Sequence, residues 1–428
     1  MTHPPELGLR ANWQQFWLLV LVNAFVGSMI GLERTVLPLL AEEEFGIAAA
    51  SVATSFIVSF GIVKALANLF AGRLSDRIGR KAILVTGWAF ALPVPLIIIM
   101  APSWWWIIFA NVLLGVNQGL AWSTTVIMKI DLVGPVRRGL AMGLNEFAGY
   151  ASVGLSALFT GWVAQNYGLR PEPFLIGFVI ALSGLLLSIF AVRETRDHAR
   201  QEALLHGDKE VDQTPSFREI FVRASWKDRN LFSASQAGMV KMLNDGLAWG
   251  LLPIYFAMAG LAVGQIGVIA AVYPIVWGVG QLITGAASDW LGRKWLIVSG
   301  MWIQAAAIAG FVVLDGYAAW IVAAGFLGFG TAMVYPTLLA VVADNSQASW
   351  RASAVGVYRL WRDSGYAAGA LMVGVMADAF SIPWAIWSVV IVTALSGLVV
   401  ALVLRERMPP ILQSNQQGPA QRRPAEGE

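Results

Sequence analysis

Twelve apolar runs of about 20 residues or more recur along the chain, separated by polar breaks, and each can cross about 30 Å of hydrocarbon as a helix. They fall at about 14–40, 51–71, 82–101, 103–127, 140–163 and 174–192, then at 231–258, 265–287, 295–314, 317–342, 353–377 and 383–404. Gly and Pro within them are compatible with membrane helix. The longest polar break divides the twelve into six and six. The pattern predicts a leading tail at 1–13, a helical bundle at 14–192, a central loop at 193–230, a second bundle at 231–404 and a tail at 405–428. That last segment is rich in Pro, Gln and Gly and is expected to be disordered. In the central loop, Phe217, Ile220, Phe221 and Ala224 recur at i, i+3, i+4 and i+7, predicting a short helix on the membrane surface. Residues 196–214 read equally well as a solvated linker.

Composition agrees. Hydrophobic residues make up 57% of the 428 and charged residues 13%, half of the roughly 25% of a soluble protein. There is no cysteine, which excludes disulfides, thiolate metal sites and Cys nucleophiles. His3, His198 and His206 fall in polar segments, so no histidine lies at membrane depth. The first apolar run is too long for the core of a signal peptide. Of 29 Lys and Arg residues, 23 fall on one side of the twelve-span topology and only Arg170 on the other. The positive-inside rule then places both termini in the cytoplasm.

The chain repeats itself. GRLSDRIGRK at 72–81 returns as GAASDWLGRK at 285–294, 213 residues later. The same shift relates Gly87 to Gly300, Gly115 to Gly328, Asp131 to Asp344, Arg138 to Arg351, Gly143 to Gly356 and Gly161 to Gly374, while Arg193-Glu194 and Arg405-Glu406 correspond at 212. Duplicated halves are a mark of secondary transporters. Physically, Asp76 ends a helix where an anion suits a neighbouring helix N-terminus, and Gly79 permits a tight turn. Arg80 and Lys81 can pair with acids at nearby helix ends, such as Asp131 or Glu194.

The decapeptide Gly-x-Leu-Ser-Asp-Arg-x-Gly-Arg-Lys, between spans two and three, resembles the signature loop of the major facilitator superfamily. The resemblance implies an all-α membrane protein of twelve transmembrane helices in two pseudo-symmetric six-helix bundles. It also implies that Gly72, Asp76, Arg77, Gly79, Arg80 and Lys81, with Asp289, Gly292, Arg293 and Lys294 in the degenerate copy, form gating motifs. By that likeness Asp76 braces the inner gate near Ser353, and Asp289 does so near Leu140. Trp290 replaces the Arg of the first copy. The plainer alternative is a turn whose positive charges set topology.

Nine ionisable residues lie within spans: Glu33, Arg34, Lys64, Glu146, Lys241, Asp245, Arg359, Arg362 and Asp363. Each costs at least about 2.5–3.5 kcal/mol at mid-bilayer unless it faces protein or water. Spans three, six, nine and twelve carry none, and the resemblance turns those helices toward lipid. Lys241 with Asp245, and Arg359 with Asp363, are spaced i, i+4 and can share a helix face. Structural ion pairing is the alternative for either pair. Among neutral groups, Asn145, Asn244 and Tyr358 join the candidate site, with Asn111 read as interhelical glue.

No phosphate-binding Gly-x-x-x-x-Gly-Lys-Ser/Thr motif is present, so energy must come from a gradient. A coupling proton would ride on a carboxylate, with Glu146 and Asp245 leading, then Glu33 and Asp363. Five basic against four acidic groups point to an anionic or zwitterionic solute. The superfamily's drug exporters carry an Arg in span four, where this chain has Asn111, and a Gly-Pro motif in span five, where it has Gly149-Tyr150. The expectation is a secondary active transporter of a small polar solute, working by alternating access and coupled to protons. The alternatives are a proton-driven drug efflux antiporter and a non-transporting sensor or scaffold. No nucleophile or metal constellation suggests an enzyme, a cofactor or a metal. The expected partners are the solute, a proton and the lipid bilayer, with no nucleic acid. The expected form is a monomer in a bacterial inner membrane.

Overall fold

The structure is a computed structural model describing residues 7–133, 138–199, 201, 215–347 and 350–406. Among these, the spans fold as twelve helices. In the first half, α1 runs Trp13–Arg34 and continues, after a break, as Leu37–Glu43. Helix α2 is Ser55–Ile78, and α3 is Arg80–Ala91 continued by Pro93–Met100. Helix α4 comprises Trp104–Asn117, a π-turn at Gln118–Trp122, and Ser123–Val133. The half closes with α5, Arg138–Tyr167, and α6, Glu172–Phe190. In the second half, α7 comprises Arg229–Gly246, a π-turn at Leu247–Leu251, and Leu252–Met258. Helices α8 to α12 are Val263–Leu291, Arg293–Val313, Tyr317–Asp344, Arg351–Ala379 and Ile382–Val403.

Nine of the twelve are long and apolar enough to cross a membrane on their own composition; α4, α7 and α11 are not. Those three bring the densest polar groups into the bundle. Helices α6 and α12 are the least buried of the nine and present Leu175, Val179, Phe190, Ile391, Leu395 and Leu402 outward. An apolar outer face of that kind is what a helix bordering lipid requires.

The breaks in α1 and α7 occupy equivalent places. Both precede a Leu-Pro pair, Leu37-Pro38 and Leu252-Pro253, with Pro in the first turn of the continuing segment. Proline lacks the N–H that an uninterrupted helix would use, so each helix restarts there. The two stubs, Leu37–Glu43 and Leu252–Met258, pack against each other.

The halves meet through α2 against α11 and α5 against α8. Their contact is lopsided. At the end remote from the chain termini, Gly161 and Gly267 approach so closely that a Cβ on Gly161 would sit 2.9 Å from the Gly267 Cα. There Asp378 accepts from the Ala50 and Ser51 N–H groups at 2.7 and 3.1 Å, and Thr54 donates to the Ala370 carbonyl at 3.1 Å. At the terminal end of the same four helices, Cβ atoms on Gly72, Gly143 and Gly285 would meet no described atom within 4 Å, and one on Gly356 only Leu69 at 3.9 Å. Among the described residues, the close glycine contacts between the halves lie at the end remote from the termini, and the terminal-end glycines make none.

Span four proves longer than the hydropathy pattern predicts, since α4 continues to Val133. Lys129 is therefore a wholly buried residue, donating to the Leu19 carbonyl at 3.1 Å. The surface helix forms as Phe217–Val222 with a π-turn at Arg223–Lys227. It buries Ile220 and Ala224 but leaves Phe217 exposed, so the expected apolar face is narrower than its spacing suggests.

Candidate functional site

On α7, Lys241 and Asp245 are fully buried and paired at 2.8 Å, as their i, i+4 spacing allows. Tyr273 of α8 donates to the other Asp245 oxygen. The Lys241 ammonium lies 3.4 Å from the centre of the Trp277 ring, a cation–π contact that strengthens away from water. Trp277 in turn stacks on Tyr150 of α5 across the junction between halves, with ring centres 3.4 Å apart.

A second cluster runs through α11. Arg362 forks onto Asp363 with two bonds of 2.7 and 2.9 Å and donates to the Tyr335 hydroxyl at 2.9 Å. Asn68 of α2 donates to Asp363, Ser123 of α4 donates to Asn68 at 2.6 Å, and Arg359 donates to Ser123 at 3.2 Å. The Tyr335 hydroxyl donates to Glu146 of α5 at 3.2 Å. Glu146 also accepts from Trp122 at 3.0 Å and from Asn145 at 3.1 Å. This chain of polar contacts crosses between the halves at Arg359–Ser123, Asn68–Asp363 and Tyr335–Glu146. Charges drawn so far from water are a weak route to stability.

The sequence profile of the Major Facilitator Superfamily matches residues 16–240 and 234–426. The chain belongs to the major facilitator superfamily. Among curated superfamily relatives, it is 25% identical over 296 residues to "Multidrug resistance protein MdtG" of Escherichia fergusonii, covering 68% of this chain and 69% of that protein. It is 26% identical over 290 residues to the protein of the same name from Salmonella arizonae, covering 66% and 68%. Two crystal structures of a POT family transporter share the superfamily architecture at 13% identity, covering 91% of this chain and 96% of theirs. The one in complex with a thioalcohol-conjugated peptide superposes with a TM-score of 0.71, and the one with 5-aminolevulinic acid with 0.72.

The expected site residues of this superfamily member divide into groups. Lys241, Asp245, Asn145, Glu146, Tyr358, Arg359, Arg362 and Asp363 gather at the centre, with Lys64 beside them over the Tyr366 ring at 4.9 Å. The anticipated Arg359–Asp363 pairing does not form. Asp363 is taken by Arg362 and Asn68, which leaves Arg359 to Ser123. Asn244 turns away from the centre: it donates to Gln304 of α9 at 3.0 Å and accepts from Thr393 of α12 at 2.7 Å. It is glue within the second bundle. Glu33 and Arg34 stand at the break in α1. No atom of either side chain finds a hydrogen bond among the described residues, and the guanidinium lies over Phe60 at 4.8 Å and Trp249 at 5.2 Å. Asn68, Tyr273, Trp277 and Tyr366 belong to the cluster and escaped the sequence reading.

The two repeated motifs fold alike. Arg80 pairs with Asp131, and Arg293 with Asp344, each at 3.2 Å. Gly79 and Gly292, with φ of +121° and +88°, turn the chain between helices. Just beyond each, a carboxylate sits on the N-terminus of the next helix. Glu194 accepts from the N–H groups of Arg80, Lys81, Thr195 and Arg196 at 3.0–3.1 Å, and Glu406 from Arg293 and Lys294 at 2.8 and 2.9 Å. Partial burial works to raise the Glu194 pKa, but these backbone donors outweigh it and hold the group below the usual carboxylate range. Lys81 thus meets Glu194 through its backbone. The side chains of Asp76 and Asp289, and Leu140 as a contact, lie outside the described residues.

Proposed function

We propose that this transporter exports apolar, aromatic, drug-like compounds in exchange for protons, with Glu146 as the proton carrier. The observation that carries the reading is the environment of Glu146. It is the partly exposed carboxylate of the centre, lies where the halves meet, and among the described residues has neutral hydrogen-bond partners: Trp122, Asn145 and Tyr335. The surfaces around it are rings (Trp122, Tyr150, Trp277 and Tyr335), and Lys241 and Arg362 are already matched by Asp245 and Asp363. A site so lined offers apolar contact and one adjustable charge. The relatives' name, multidrug resistance protein, favours the same cargo.

With both termini in the cytoplasm, the end joined by the Gly161–Gly267 contact would be the outer one, which leaves the inner end for entry. Cargo would enter there while Glu146 is ionised. Protonation from outside would remove the charge and release cargo after the halves rock. The same groups serve both steps because only one end is open at a time. In proteoliposomes carrying an imposed pH gradient, ethidium transport should require the gradient. Glu146→Gln should lose gradient-driven accumulation at least tenfold while keeping downhill ethidium exchange. Gradient-driven accumulation at the native rate in that variant would overturn the assignment.

A second reading, a small anionic or zwitterionic solute, draws on Arg34 and Lys64, neither of which has a carboxylate within 4 Å among the described residues. Competition of ethidium transport by organic anions, but not by lipophilic cations, would favour it.

A further inference from the structure

The segment joining the halves ends in the helix Phe217–Val222 and the turn Arg223–Lys227, which lead directly into α7. One face docks on the second bundle through Ile220 and Ala224, with Ser235 donating to the Ala224 carbonyl at 3.0 Å. The opposite face is exposed and carries Arg218, Arg223, Lys227 and Arg229 beside the apolar Val222 and Trp226, the last 60% exposed. The nearby acids are engaged elsewhere: Glu219 closes the capping box with Ser216, and Asp228 caps α7. None of the four cations has an ion pair among the described residues. The segment therefore shows cations and a tryptophan together. It is anchored to α11 ten positions past that helix's start, about 15 Å along it, by Trp361, which donates to Ser225 at 2.8 Å and meets the Phe221 and Trp226 rings. That anchor lies next in sequence to Arg362, the guanidinium of the central cluster.

We propose that this face binds the headgroups of anionic phospholipids, and that the bound state is transmitted through Trp361 to α11 and the opening between the halves. Charge complementarity commits the surface to lipid. Cations attract an anionic leaflet, while Val222 and Trp226 suit the boundary between headgroups and acyl chains.

The absence of cysteine lets labels be placed singly. In the full chain, a nitroxide on Val222→Cys should be more accessible to oxygen than to an aqueous nickel chelate in phosphatidylcholine nanodiscs containing phosphatidylglycerol. That preference should fall several-fold without phosphatidylglycerol, or in a background carrying Arg218→Gln, Arg223→Gln, Lys227→Gln and Arg229→Gln. A label equally immersed in neutral and anionic discs, or buried only when an acidic protein is added, overturns the lipid assignment. For transmission, labels on Gly143→Cys and Gly356→Cys span the terminal end of the halves. Phosphatidylglycerol should shift their distance distribution, and Trp361→Phe, which lacks the indole N–H, should lose that shift while keeping the native immersion at residue 222. An unchanged shift in Trp361→Phe overturns the coupling. Neither readout depends on the cargo or on Glu146.

Discussion

The two repeated motifs have one geometry and two environments. Arg80–Asp131 and Arg293–Asp344 are equally long, yet the first pair is 8% exposed on both sides and the second 19% and 44%. Glu194 and Glu406 each accept from the two N–H groups that open the next helix. Duplication preserved which atoms meet. It did not preserve how much water surrounds them, and water sets the energy. A buried pair broken on one side leaves an uncompensated charge, whereas an exposed pair contributes little.

That contrast can be tested by removing the acids in turn. Asp131→Ala should lower stability by about 3 kcal/mol, read as thermal unfolding in detergent. The turn glycines come next. Both positive φ values disfavour a side chain by about 1–3 kcal/mol, and a Cβ on Gly79 would lie 2.7 Å from the Glu194 carboxylate against 3.0 Å between Gly292 and Glu406. The closer approach at Gly79 should make Gly79→Ala the costlier change. Asp344→Ala should cost under about 1 kcal/mol. If Asp131→Ala and Asp344→Ala proved equal, burial would not be what separates the motifs.

The smallest effect is one of pH. Because the Glu194 pKa is lowered in the folded state, its contribution is complete above the unfolded carboxylate value of about 4.3 and fades as pH falls through the lower folded value. Stability of the native chain should therefore drop more steeply below pH 4 than that of Glu194→Gln.

Much of the architecture was legible because it rests on coarse periodicities. The 213-residue repeat announced paired motifs, and of the four charge-free spans six and twelve are the least buried, while three and nine are no less buried than two and eight. The site was legible only where it is charged. Lys241, Asp245, Arg362 and Asp363 stand out against an apolar background. Trp277 and Tyr273 do not, since an aromatic residue facing the centre has the same hydropathy as the exposed Trp295 or Trp302. Asn244 misled by adjacency: it follows Lys241 by three and precedes Asp245 by one, yet Gln304 and Thr393 claim its amide. Lys129 was missed because a charge near a span's end reads as the end itself, although here the helix carries it inward to the Leu19 carbonyl.

The restarts before Leu37-Pro38 and Leu252-Pro253 give the closed end a construction of its own. Each leaves a seven-residue plug about 10 Å long, joined to its parent helix by an irregular joint and seated against its twin from the other half. Arg34 and Glu33 stand at one of these joints, so the closed-end stub and a buried charged pair share a single point in the chain.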